Sequence, residues 1–375
     1  MMDGRFLETP DSELSTAAWI ASRSQGPFPA DSVYLHAPSF AFQSPGGGEN
    51  QLVQTGRHLE ALDVPVRLFS PWTDRIDQAR ALHLFGMSRE GLELASLARS
   101  RGVPVVLSPI CWYEPRALWA LEPTTARKLR ALGAWSARRV VPRLPSWRRT
   151  LLRLVDRILP NSDAEAAQLA RLFGVDPARF SIVPNGVLPE FGWATPDLFH
   201  ERVGVFEFVL FVGRIEPRKN PLGVIRAVRR LGLPLVVVGE APPRFEDYER
   251  LCRREGGGQV VWLEPRDHQD PLLVSAYAAA RVFALCSWFE TPGLSALEAA
   301  LAGAAVVVTP HGSTRSYFGD DAIYARPNRL DEITSAIARA WTEGPAPGLA
   351  GRIASNYLWD HVAWKTAEAY DRVAN

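Results

Sequence analysis

Cysteine is scarce in this chain of 375 residues: Cys111, Cys252 and Cys286 are widely spaced and form no C-x-x-C pair. That excludes a disulfide framework and a thiolate zinc site, and it fits a reducing compartment. Lysine is nearly absent as well, with Lys128, Lys219 and Lys365 the only three among 42 basic residues. Arginine is therefore the default cation, and each lysine invites inspection. No long hydrophobic run occurs; stretches such as Ala299 to Val308 reach about ten residues, against the ~18 or more that a spanning helix needs. The segment from Met1 to Leu14 carries Asp3, Glu8, Asp11 and Glu13 and lacks the apolar centre of a signal peptide, so a cytoplasmic protein is expected. An excess of one charge is missing too. The formal net charge of +1 argues against a globally basic surface for nucleic acid.

Several common motifs are also missing. There is no G-x-x-x-x-G-K-[ST], which disfavours a P-loop NTPase. The first strand of the amino-terminal half runs into Pro45-Gly46-Gly47-Gly48-Glu49-Asn50 and that of the carboxy-terminal half into Gly213-Arg214-Ile215-Glu216. Neither is G-x-G-x-x-G, so a dinucleotide dehydrogenase is disfavoured. No two aspartates stand two residues apart, which removes the D-x-D of a metal-dependent sugar-nucleotide fold. G-x-S-x-G, H-E-x-x-H and EF-hand loops are absent, and neither a metal nor a cofactor is expected.

What is present is a rhythm of short β-branched runs and helix-length segments. Val33–His36, Val64–Phe69, Ala81–Phe85, Val103–Leu107 and Arg157–Pro160 read as buried strands, with helices over Glu49–Leu62 and Arg89–Arg101. After a turn-rich stretch from Pro184-Asn-Gly186 to Pro196 the rhythm restarts with Phe208–Gly213, Leu235–Gly239, Gln259–Leu263, Val282–Cys286 and Ala305–Thr309. Such alternation implies two doubly wound α/β domains with parallel sheets, placed at 1–195 and 196–353, and a closing helix within 354–375.

Three constellations could carry chemistry. Gly213-Arg214-Ile-Glu-Pro-Arg-Lys219-Asn220 leaves a buried strand at the carboxyl edge of its sheet, where ligands bind in open α/β folds. Arg214 and Lys219 there can neutralise a diphosphate; the alternative is two exposed cations in a loop. The second, Glu290-Thr-Pro-Gly-Leu-Ser-Ala-Leu-Glu298, predicts a helix capped by Thr291 with Pro292 at its first position. Its free N–H groups around Gly293 and Leu294 form an anion site, and carboxylates at Glu290 and Glu298 beside it suit sugar or ribose hydroxyls. A capping or surface role is the alternative for Glu298. The third is Gly46-Gly47-Gly48, which lets backbone approach a ligand or else is only a mobile turn.

One segment breaks the rhythm. Residues 116–157 hold eleven basic residues and two acidic ones, interleaved with Leu118, Trp119, Leu129, Leu132, Trp135, Leu144 and Trp147. This suits an anionic lipid surface or an anionic acceptor; the alternative is a solvated charged face with a core-facing stripe.

Taken together, strand-G-R-x4-K-N, the Glu290-x7-Glu298 pair, the glycine loop and the Pro184-Asn-Gly-Val187 connection resemble the retaining glycosyltransferases of family 4, the group-1 enzymes with the GT-B fold. Leu159-Pro-Asn-Ser162 before a helix and the terminal Trp359-Asp360 helix extend the likeness over most of the chain. The resemblance implies two Rossmann-like domains facing each other across a cleft. It implies that Arg214 and Lys219 bind the donor diphosphate, Glu290 the donor sugar and Glu298 the ribose. Gly293 and Leu294 would offer backbone amides, and Gly47 and Gly48 would approach from the acceptor side. The expected donor is a UDP-, GDP- or ADP-linked sugar, and the expected acceptor is a cell-surface polysaccharide or lipid-linked glycan. A phosphorylase, a sugar-nucleotide epimerase or an inactive nucleotide-sugar-binding protein on the same fold are the other readings. Two positions depart from the family pattern. Val106–Cys111 lacks the histidine that many relatives carry there, with His36 or His83 as substitutes or else packed strand residues, and Ser316 stands where an acid is more usual. Both bear on the donor sugar rather than the fold.

Overall fold

The computed structural model describes residues 15–26, 28–29, 31–43 and 46–374. The segment Met1 to Leu14 and Pro45, both read above, lie outside the described residues. The chain forms two compact α/β units. The first comprises Met1–Cys111, Ser136–Gly186 and Trp359–Asn375; the second comprises Trp112–Trp135 and Val187–Leu358.

In chain order the amino-terminal elements are α1 (Thr16–Ser24), β1 (Val33–His36), α2 (Gly47–Glu60), β2 (Val66–Leu68), β3 (Ala81–Phe85), α3 (Arg89–Ser100) and β4 (Val105–Ser108). Three helices follow, α4 (Pro115–Leu121), α5 (Thr125–Val140) and α6 (Trp147–Leu154), then β5 (Arg157–Ile158) and α7 (Asp163–Phe173). The strands pair in parallel in the order β2-β1-β3-β4-β5. Every residue of β1, β3 and β4 is buried, which explains why they read as continuous apolar runs. Serine caps set the helix starts: Ser88 Oγ accepts from Gly91 N at 2.8 Å, and Ser162 Oγ from Glu165 N at 3.1 Å.

The second series runs α8 (Asp197–Val203), β6 (Val209–Val212), α9 (Pro221–Leu231), β7 (Leu235–Val238), α10 (Glu246–Gly256), β8 (Val260–Leu263), α11 (Pro271–Ala279) and β9 (Val282–Leu285). It continues through α12 (Leu294–Leu301), β10 (Ala305–Val308), α13 (Thr314–Phe318), β11 (Ile323–Tyr324), α14 (Leu330–Glu343) and α15 (Leu349–Asn356) to α16 (Trp359–Ala374). Its six parallel strands lie in the order β11-β10-β9-β6-β7-β8. Chain direction across the sheet therefore reverses between β6 and β9, and in the first sheet between β1 and β3. Those two carboxyl edges are the topological switch points where open α/β sheets bind ligands. The fully buried Val209, Leu210, Phe211, Val282, Phe283 and Leu285 hold the β6/β9 edge rigid, each contributing about 1.5–3 kcal/mol through burial.

The basic segment divides into unlike parts. α6 buries Leu151 and Leu152 and is a charged face with a core stripe. α5 has no buried residue at all, and Leu129 and Val140 stand open on it.

Candidate functional site

At the second switch point two loops are laced together. The loop after β6 ends on Asn220, which adopts φ +56° and caps α9 by accepting from Gly223 N at 3.3 Å. Its amide donates to the carbonyls of Cys286 at 3.0 Å and Pro327 at 3.1 Å, tying this loop to the end of β9. Trp288 N donates to Arg218 O at 2.8 Å, which draws the loop after β9 alongside. Lys219 and Glu290 meet as a result, though 71 residues apart: Nζ lies 2.8 Å from Oε1 and 2.9 Å from Oε2.

A third loop fixes the carboxylate. Glu290 N donates to His311 O at 3.1 Å and Glu290 O accepts from Ser313 N at 2.8 Å. Gly312 makes this possible: its φ is +101°, and a β-carbon there would come within 1.9 Å of Glu290 O. No other residue fits without moving the main chain.

The site's charges form a chain. Arg218 stands 3.0 Å from buried Glu216 and 3.9 Å from Glu290, and Arg214 lies 4.0 Å from Glu216. Three cations thus meet two carboxylates, leaving an excess positive charge. Arg214 presents it, with 41% of its side chain exposed against 16% for Lys219 and 4% for Glu290. Burial pulls the Lys219 amine below its usual range, with Glu290 acting against it. Burial alone would raise Glu290, but the charges of Lys219 and Arg218 and hydrogen bonds from Lys219 and Ser287 outweigh it and hold the carboxyl low. Burial and the ion pair thus act in opposite senses on Lys219, while the neighbouring cations keep the Glu290 carboxyl low.

The helix start differs from the expected cap. Gly293, at φ +90°, stands at the cap position of α12, so neither Thr291 caps the helix nor Pro292 opens it. A left-handed residue cannot belong to the helix, which therefore begins one position later at Leu294. The first bonds to Gly293 O come from Ala296 at 2.9 Å and Leu297 at 3.3 Å. The N–H groups of Leu294 and Ser295 precede them, as an anion site requires.

Glu298 is buried rather than a surface residue. Its Oε2 accepts from Tyr277 OH at 2.6 Å, and its Oε1 faces His268 Nδ1 at 2.8 Å. Burial works against protonating His268, but the charge and hydrogen bond of Glu298 prevail and raise its pKa.

In the first unit the glycine run is the opening turn of α2. Gly46 N donates to Glu49 Oε2 at 2.8 Å, and Gly47 and Gly48 are the first two helical residues. His83 is a packed strand residue: Nδ1 meets Tyr370 OH at 2.7 Å and Nε2 meets Ser108 Oγ at 2.9 Å. Burial lowers its pKa to about 3, so it is neutral and fully engaged. His36 is buried at the end of β1, with Nε2 3.8 Å from Glu90 Oε1.

Two family models match this chain, "Glycosyl transferase 4-like domain" over residues 58–186 and "Glycosyl transferases group 1" over residues 207–343, together well over half of it. The chain belongs to the group 1 glycosyl transferases. A D-inositol 3-phosphate glycosyltransferase of Kribbella flavida is 31% identical to this group 1 chain over 239 residues, 57% of this chain and 56% of that one. A second protein of that name, from Catenulispora acidiphila, is 36% identical over 185 residues, 44% of this chain and 42% of that one. The chain thus spans about half the length of the curated relatives it matches. Among solved structures, sucrose-phosphate synthase from Thermosynechococcus elongatus superposes with a TM-score of 0.73 at 16% identity, covering 91% of this chain and 98% of that one. Anabaena HepE in complex with UDP and glucose gives 0.68 at 16% identity, covering 92% and 100%. These likenesses and the two parallel sheets make the fold GT-B.

In this group 1 chain the structure brings Arg214, Lys219, Glu290, Gly293 and Leu294 to one sheet edge, with Glu298 further along α12. Sequence reasoning missed Glu216 and Arg218, although both stand in the motif it quoted. It also missed Tyr277 and His268 on Glu298, which no local spacing signals. Among the described residues, no cluster of His, Cys, Asp or Glu could hold a metal, and no helix is long and apolar enough to cross a membrane.

Proposed function

We propose that the chain moves a hexose-like sugar, with retention, from a nucleoside diphosphate sugar to a glycan or lipid-linked acceptor. The observation that carries this reading is the half-exposed Arg214 beside the Lys219–Glu290 pair at the β6/β9 switch point. Negative charge grows on the diphosphate as it leaves, and preorganised cations that need no reorientation stabilise that charge. Arg214 and Lys219 supply it, and the amides of Gly293 and Leu294 add donors. Glu290 keeps Lys219 aimed, and its carboxylate accepts from donor-sugar hydroxyls. Glu298, held by Tyr277 and His268 on one lone pair of each oxygen, keeps acceptor capacity for ribose hydroxyls. Same-face attack assisted by the leaving phosphate requires no protein nucleophile. The solved complexes of HepE with UDP and UDP-glucose support a nucleotide-sugar donor. For the acceptor side, Gly47 and Gly48 offer backbone for close approach, and α5 offers cations and open apolar side chains to an anionic membrane carrying the acceptor.

The names of the relatives favour a second acceptor class, a phosphorylated polyol or sugar. The test is incubation with UDP-, GDP- and ADP-sugars against lipid-linked glycans and against inositol or hexose phosphates, following nucleoside diphosphate release and product anomer. Transfer with retained configuration that is lost in Glu290→Gln supports the reading. Sugar 1-phosphate release with inorganic phosphate, or binding without transfer to any acceptor, overturns it.

A further inference from the structure

In the first unit, the loop after β4 turns at Ile110, whose φ of +46° puts a β-branched residue in the left-handed region. Such a residue stays there only when its surroundings hold it. Glu165 supplies that hold. It lies in the first turn of α7, fully buried, and its carboxylate accepts from Cys111 N at 2.6 Å and from Asn161 N at 2.7 Å. Its own N–H is bound by the Ser162 cap, so both backbone and side chain are fixed. One carboxylate thus ties the turn after β5 to the corner after β4. That corner in turn faces the glycine turn: a β-carbon at Gly48 would stand 3.6 Å from Ile110 Cδ1.

We propose that Glu165 is a positioning residue for the acceptor-side glycine turn. Through Cys111 N–H it holds the Ile110 corner, and the Ile110 side chain forms the wall that Gly48 faces. The role of the turn in transfer rests on the reading above; the mechanical link from Glu165 to Gly48 does not. A first-turn acid after a serine cap normally serves its own helix. Here the carboxylate reaches beyond the cap to two other segments. Burial raises its carboxyl to about 7, and the two N–H bonds act against that rise.

The experiment compares the parent with Glu165→Ala and Glu165→Gln in the full chain. Hydrogen exchange of residues 106–112 and 46–52, UDP binding by thermal shift, and transfer kinetics are read in parallel. In Glu165→Ala both segments are expected to exchange roughly tenfold or more faster, the loss expected when two hydrogen bonds to a buried carboxyl vanish. UDP affinity should stay within about twofold, since the β6/β9 edge belongs to the other unit. Glu165→Gln should restore protection in part, because its one carbonyl oxygen serves one of the two N–H groups. Loosening of 106–112 with 46–52 unchanged overturns the proposal, as does a matching loss of UDP affinity. If no donor supports transfer, the exchange data still decide the link between Glu165 and the glycine turn, and only the transferase reading fails.

Discussion

The two switch points of this molecule are built in opposite ways. At the β6/β9 edge the working surface is made of charge: Arg214, Glu216, Arg218, Lys219 and Glu290 form a chain of ion pairs with a cation left open. At the β1/β3 edge it is made of backbone, a glycine turn faced by Ile110, and His83 in the middle of β3 is buried and neutral. The difference teaches what each edge is suited to hold. Under the proposed function, fixed cations answer a diphosphate, whose charge is the same in every donor, and a backbone surface answers the shape of an acceptor.

The strongest way to break this comparison is to remove one half of the buried pair. Lys219→Ala leaves Glu290 buried without its main counter-charge and should cost about 3–5 kcal/mol, seen as a large fall in melting temperature. A small fall would mean that Arg218 already neutralises Glu290. The neutral edge has its own signature in acid. Between about pH 6.5 and 3 the unfolded chain takes a proton on His83 that the folded chain refuses, so this group contributes stability at neutral pH that is lost as pH falls. Denaturant melts should lose stability over that window, and His83→Gln should flatten the slope. The smallest effect concerns α5, where Arg127→Glu with Arg130→Glu should leave stability within about 0.5 kcal/mol but weaken salt-sensitive binding to anionic liposomes. Binding that is absent in the parent, or unmoved by salt, removes the membrane from the acceptor side.

Most of the fold was legible because the central strands are buried on both faces and stand as apolar runs between helix-length segments. Short β11 was not read, its two half-buried residues being too few to make a pattern. The charged edge was legible because its residues follow buried strands directly: once β6 and β9 were placed, Arg214, Lys219 and Glu290 had to emerge together. The Thr291 cap failed because local chemistry favours it, whereas the left-handed Gly293 and the pairing of Glu290 with Gly312 are decided by the loop after β10. The partners of Glu298 lie 21 and 30 residues away, beyond any spacing rule. Residues 116–157 have one composition but two fates, since burial of Leu151 and Leu152 is set by the helices around α6.

The central claim is that the open cation at the β6/β9 edge binds a diphosphate. Titration calorimetry of the parent and Arg214→Ala with UDP, GDP and ADP tests it most directly. The side chain is exposed enough that its removal should leave the melting temperature nearly unchanged. The expected result is a loss of roughly tenfold or more in affinity for whichever nucleotide binds, with the corresponding nucleoside unaffected. Equal affinity of parent and variant for the diphosphate would contradict the account.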